Sequence, residues 1–136
     1  MSDPLKITEA TALAFHAVVW IASSGGTMTT AHVAKSLSAS PAHLAKVLQK
    51  LVHAGLLTAT RGPSGGYGLA RKPETILLSD IFESMESTPR SDGCLFAAPV
   101  CGNADCIMGP SVREARRVLW EYLQKTSVAD LVQQGS

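Results

Sequence analysis

Three cysteines, Cys94, Cys101 and Cys106, fall within thirteen residues and are all the cysteines of this 136-residue chain. Gly93, Pro99, Gly102, Gly109 and Pro110 surround them. Thiolates bind soft metals and iron–sulfur clusters, and a glycine-rich loop lets several converge while offering backbone N–H groups to sulfide. Other chemistries stay open to the same three thiols. A zinc site lacks a paired C-x2-C or a histidine partner to complete its tetrahedron. A thiol–disulfide switch needs only two of the three, and three incidental thiols need no partner at all. An odd number of cysteines in one stretch does not make a disulfide framework.

The second constellation is one of charge. Between Glu9 and Glu74 there is no acidic residue, while the interval carries Lys35, Lys46, Lys50, Arg61, Arg71 and Lys72. Residues 1–73 hold seven lysines and arginines against two acids; residues 74–136 hold five against nine. A net charge of +1 thus conceals a basic N-terminal half. Such a half fits a polyanion partner that touches it alone. Enzymatic chemistry is poorly served. The chain has no C-x-x-C motif and no evident carboxylate pair or Ser/His/Asp set, so a non-enzyme is expected.

An apolar fraction of 46% and a charged fraction of 17% mark a globular chain, long enough for one core. No apolar run approaches the ~20 residues of a membrane span. The start, MSDPLKITEA, lacks the basic-then-apolar order of a secretory signal. A cytoplasmic protein without a membrane partner is expected.

The elements that must position these residues follow from spacing and caps. Residues 8–24 read as a helix capped by Thr8, with Leu13, Ala17, Trp20, Ile21 and Ser24 at helical spacing and Gly25-Gly26 as its end. A short helix starts at Thr29 or Thr30, with Val33, Ala34 and Leu37 inward. "SASP" then restarts a helix, with Ser40 as cap, Pro41 at the first position and Leu44, Val47, Leu48 and Leu51 as the buried stripe. His43, Lys46 and Lys50 lie off that stripe. Two helices joined by a tight turn have the size of a helix-turn-helix.

Beyond Gly55 the period changes. "LLTATR" and "GYGLAR" read as strands, with Leu56, Thr58 and Thr60 on one side and Tyr67 and Leu69 on the other. The joining loop belongs to "RGPSGGYGLA", residues 61–70. A phosphate-binding loop needs a helix after it, and here a strand follows. The order therefore predicts a mostly α winged helix-turn-helix, with the glycines at the tip of a two-stranded wing and Arg61 free to reach a phosphate or a minor groove. Residues 74–86 read as a short helix capped by Ser79, and 111–125 as a long helix with Val112, Ala115, Val118, Leu119, Tyr122 and Leu123 on one broad face. That width exceeds what a chain of this plan needs for its own core, so a dimer through Val118, Leu119, Tyr122 and Leu123 is expected. The predicted organisation is a DNA-binding region over 1–73, a short helix and cysteine loop over 74–110, and a dimerisation helix with its tail over 111–136. Trp20 and Trp120 are expected in the core or the dimer interface, and Tyr67 is expected to pack the wing onto the body.

The wing "RGPSGGYGLA", the spaced cysteines and a long helix ending in "TSVADLV" resemble the family of bacterial winged-helix regulators that includes the iron–sulfur regulator IscR, the nitric-oxide sensor NsrR and the iron regulator RirA. The likeness spans about residues 6–132. It implies a homodimeric regulator of transcription that binds a double-stranded DNA operator. It also implies an iron–sulfur cluster on Cys94, Cys101 and Cys106 that tunes that binding. The implied DNA-facing set is Thr30, then Ser40, Pro41, His43, Lys46 and Lys50 on the recognition helix, then Arg61, Gly62, Ser64 and Gly65 at the wing. Two family ligands have no counterpart. The histidine three residues after the third cysteine is Gly109 here, and the first-helix aspartate of other members aligns nearest Ala12. Glu9, His16, His32, Asp105 or an exogenous group are the alternatives for the fourth position. A 4Fe-4S cluster is the first expectation and 2Fe-2S the second. A metal-free regulator that senses oxidants or persulfides through the same cysteines is the alternative.

Overall fold

The computed structural model describes residues 7–63, 65–86 and 109–134. Helix α1 spans Glu9–Ser24, α2 Thr30–Leu37 and α3 Pro41–His53. Strands β1, Leu57–Thr60, and β2, Gly66–Leu69, form an antiparallel pair running from Leu57↔Leu69 to Thr60↔Gly66. A single 3-10 turn at Pro73–Thr75 leads into α4, Leu78–Met85. Helix α5 spans Gly109–Lys125 and α6 Val128–Gln134. The winged helix-turn-helix read from the sequence is the observed fold.

The helix starts are local chemistry. Thr8 Oγ1 accepts the Thr11 N–H, Thr29 Oγ1 the His32 N–H and Ser40 Oγ the His43 N–H, each satisfying a donor that the first helical turn leaves unpaired. α6 has a reciprocal box: Asp130 Oδ2 accepts from Ser127 N–H at 2.9 Å and Ser127 Oγ from Asp130 N–H at 3.2 Å. α4 starts differently from the prediction. Asp80 Oδ2 accepts the Leu77 N–H at 3.0 Å, and Ser79 is buried within the first turn instead of capping it. The docking of α4 on α1 and α3 sets that start.

One core runs through the described residues. α1 contributes Ala14, Ala17, Val18 and Ile21; α3 contributes Leu44, Val47, Leu48 and Leu51; Ile76, Ile81, Leu123 and Val128 close it from the C-terminal half. Burying a side chain of this size stabilises the fold by roughly 1.5–3 kcal/mol. Trp20, expected in the core or at a dimer interface, is 46% exposed and stands outside the chain's own core, because the buried side of α1 runs through Ala14, Ala17, Val18 and Ile21. Trp120 packs edge-on against Phe82 with ring centroids 5.7 Å apart. The strand alternation also departs from prediction. Leu56 and Leu57 are both buried at the root of the wing, while Thr58–Thr60 are exposed. The C-terminal end is tied back by backbone bonds, Leu78 N–H to Thr126 O and Val128 N–H to Ile76 O, both 2.9 Å. α6 consequently lies on α1.

Candidate nucleic-acid interface

Helix α3 is oriented by its apolar stripe. With Leu44, Val47, Leu48 and Leu51 in the core, Ala42, His43, Lys46, Gln49, Lys50 and His53 are all exposed. At 3.6 residues per turn, Ala42, Lys46, Gln49 and His53 form the centre line of the outward face. His43 and Lys50 lie along one flank of it. The sequence singles out His43, Lys46 and Lys50 within residues 40–50; Ala42, Gln49 and His53 join them on the exposed face, and the i, i+4, i+7, i+11 spacing of Ala42, Lys46, Gln49 and His53 opposite the leucines is the signal for it. Ser40 and Pro41 are exposed at the helix start, and Thr30 is half-buried at the start of α2. The turn between α2 and α3 passes through Ser38 in the left-handed region, φ 53°. Ala39 N–H bonds Ala34 O at 2.9 Å across that turn.

The wing tip is closed by Gly65 N–H to Gly62 O, 2.9 Å. A Cβ at Gly65 would stand 2.1 Å from Thr60 O, so only glycine fits there. Arg61 is exposed beside this turn, and Ser64 lies outside the described residues. The base of the wing has a further rung that the sequence did not reveal. Met28 N–H donates to Tyr67 O at 3.0 Å and Tyr67 N–H to Met28 O at 2.8 Å. A Cβ at Gly66 would come within 2.6 Å of Met28 O, so that rung too depends on a glycine. The half-buried Tyr67 thus joins the wing to the body, as expected, although backbone pairing does part of the work.

The basic side chains of the N-terminal half stand exposed, one of them engaged by its own chain. Lys35, Lys46, Lys50, Arg61 and Lys72 are exposed. Arg71 Nη2 instead donates to Thr75 O at 2.9 Å and to Asp80 Oδ2 at 3.2 Å, which assigns it to holding the wing's exit on α4. No carboxylate from residues 10–73 dilutes the positive field.

Cys94, Cys101, Cys106 and Asp105 lie outside the described residues. Among the described residues no group of three His, Cys, Asp or Glu is placed to hold a metal ion. His16 Nδ1 donates to Ala12 O at 2.7 Å, and Glu9 and His32 are exposed near the starts of their helices. Glu86, at the threshold of the cysteine segment, accepts a 2.6 Å hydrogen bond through Oε2 from the fully buried Thr11 hydroxyl of α1.

On α5 the four residues expected at a dimer contact separate. Val118 and Tyr122 are 54% and 49% exposed, Leu119 is half-buried against the core, and Leu123 is 4% exposed within its own chain. Ser111, Ala115, Val118 and Tyr122 line the outward apolar strip. Beside it Arg117 pairs with Glu114 and with Glu121. The hydrogen bond to Arg117 holds the Glu114 carboxyl below the usual carboxylate range, and both carboxylates raise the guanidinium further. No helix among the described residues is long and apolar enough to cross a membrane.

The family described as "Rrf2: Iron-dependent Transcriptional regulator" matches residues 7–134. The HTH-type transcriptional regulator IscR of Cereibacter sphaeroides is 31% identical over 113 residues, covering 77% of this chain and 70% of the relative. Protein aau3 of Rhizobium meliloti is 29% identical over 131 residues, covering 94% and 85%. Among solved structures, CymR of B. subtilis, the global cysteine regulator, superposes with a TM-score of 0.79 at 23% identity, covering 96% of this chain and 98% of that one. IscR of T. potens gives 0.73 at 23% identity, covering 97% and 89%.

Proposed function

This chain belongs to the Rrf2 family of transcriptional regulators, and from that premise we propose that it is a homodimeric repressor or activator whose binding to a double-stranded DNA operator is tuned by an iron–sulfur cluster on Cys94, Cys101 and Cys106. The observation that carries the DNA half is the surface formed by the outward face of α3 and the tip of the wing, basic and without a carboxylate over residues 10–73. α3 fits a major groove, where a recognition helix presents its N-terminal residues to base edges. Arg61 at the wing fits the neighbouring minor groove. Lys46 and Lys50 neutralise phosphates. The affinity should therefore fall steeply with salt, with a log–log slope near 0.9 per phosphate neutralised. An affinity unchanged between low and high salt would reject the nucleic-acid reading.

The donor set supports the cluster half. Three thiolates in a glycine-rich segment suit an iron–sulfur cluster, and with three cysteines per chain the fourth ligand is not a cysteine of the same chain. When bound, the cluster supplies a centre open to redox change and to nitric oxide. The chain's own part is transmission. Glu86 ends α4 just before the cysteine segment and is tied to Thr11 of α1, and α1 packs on α3. A change in the loop that moves Glu86 thereby bears on the recognition helix. The same three thiols also carry a second reading, in which an oxidant joins two of them as a disulfide, or a persulfide donor modifies one, without metal. Anaerobic purification separates the two readings. A cysteinate-to-iron absorption band with bound iron supports the cluster, and a colourless, iron-free protein whose DNA binding responds to oxidant supports the second.

A further inference from the structure

The outward line of α3 carries an unusual set of side chains for a helix that reads bases. Ala42, exposed at its centre, is the outward residue of the first turn. The next residue on that line is Lys46, a point-like cation, and a carboxamide arrives only at Gln49 in the third turn. No arginine, asparagine or glutamate stands on α3 at all. The planar side chains that clasp guanine or adenine with two hydrogen bonds are thus missing from the part of a recognition helix that reaches base edges. A bare Cβ in a major groove has one base feature to read, the C5 methyl of thymine.

Resting on the DNA-regulator reading above, the geometry points to Ala42 as a specificity-determining residue that selects a thymine in each half-site by methyl contact. Neither Ser40 nor His43 shares its line. The Ser40 hydroxyl accepts the His43 N–H as the helix cap, and His43 lies on the flank, not on the centre line. The positive surface around Ala42 supplies attraction that is largely independent of sequence, and methyl contact adds a preference at one base of the half-site. Contact with one methyl is expected to contribute about fourfold in affinity per half-site.

The test uses the full chain as purified and begins with selection of binding sites from random duplex DNA. Each thymine of the selected site is then replaced in turn by deoxyuridine, which removes the methyl and leaves every hydrogen-bonding group. One position per half-site should lose about fourfold in affinity. In Ala42→Gly that loss should disappear, because thymine and uracil then bind alike. Ala42→Gln, which keeps a good helix former, should shift the selected base at that position toward adenine. If every thymine tolerates uracil, or the loss persists in Ala42→Gly, the methyl reading is overturned while the regulator reading stands. If selection enriches no sequence at all, both fall.

Discussion

At the scale of single residues, the basic side chains divide by what they touch. Arg71 is occupied by Thr75 O and Asp80 and serves the fold. Lys46, Lys50 and Arg61 stand exposed and are the proposed contacts to DNA. The division predicts different phenotypes. Lys50→Ala should weaken operator and random DNA to a similar extent and reduce the salt slope by about 0.9 for each protomer, measured by fluorescence anisotropy across a salt series. Arg61→Ala should cost most on operators with a narrow A/T minor groove, and equal losses on G/C-flanked duplexes would place Arg61 outside the groove. Arg71→Ala should lower the thermal midpoint instead. The pair it breaks is partly exposed, so a loss on the order of 1 kcal/mol or less is expected by calorimetry.

At the scale of elements, α5 has two adjoining apolar strips with separate uses. Leu119 and Leu123 pack on the chain's own core, with Leu119 also bordering the outward strip; Ala115, Val118 and Tyr122 turn away from it. The dimer proposed above accordingly rests on the outward strip. Val118→Glu with Tyr122→Glu should yield folded monomers by light scattering, and a variant that remains dimeric would put the interface elsewhere. Leu123→Ala is expected to act on folding, costing about 2–5 kcal/mol in denaturant titration, since it empties a buried site. The Arg117 pairs with Glu114 and Glu121 flank the outward strip. With the Glu114 carboxyl held below its ordinary range, the Arg117–Glu114 pairing is complete above the unfolded carboxylate value and is lost as pH falls through the lowered one.

At the scale of the whole molecule, the end of α4 connects to the exposed face of α3 and to the wing through few contacts. Glu86 joins Thr11, α1 lies on α3, and the wing is paired to Met28 just before α2. Single Cys94→Ser, Cys101→Ser and Cys106→Ser changes should each abolish iron binding and its absorbance while leaving helical circular dichroism intact. Full iron occupancy in Cys101→Ser would remove that thiol from the proposed site. Thr11→Val should weaken the dependence of DNA binding on cluster state, because it deletes the hydroxyl that holds Glu86.

What the sequence determined by itself is what forms within a few residues. Thr8, Thr29 and Ser40 cap helices by bonds to the third residue on, and the leucines of α3 define an inward stripe whatever lies beneath it. The glycine run between two short strands made the wing, and the family resemblance followed from that wing, the spaced cysteines and the long helix ending in "TSVADLV". Tertiary structure decided what depends on docking. Helical periodicity gives α5 a broad apolar face but does not say which strip meets Phe82 and the core, so Leu123 and Val118 look equivalent until the helix is seated. Trp20 turns outward for the same reason, since Ala14, Ala17, Val18 and Ile21 take the buried side of α1. The Met28–Tyr67 rung and the Thr11–Glu86 bond join segments far apart in the chain, and no local spacing encodes such a pair. Ser79 lost its predicted capping role because docking of α4 buries it and leaves Asp80 to accept the Leu77 N–H.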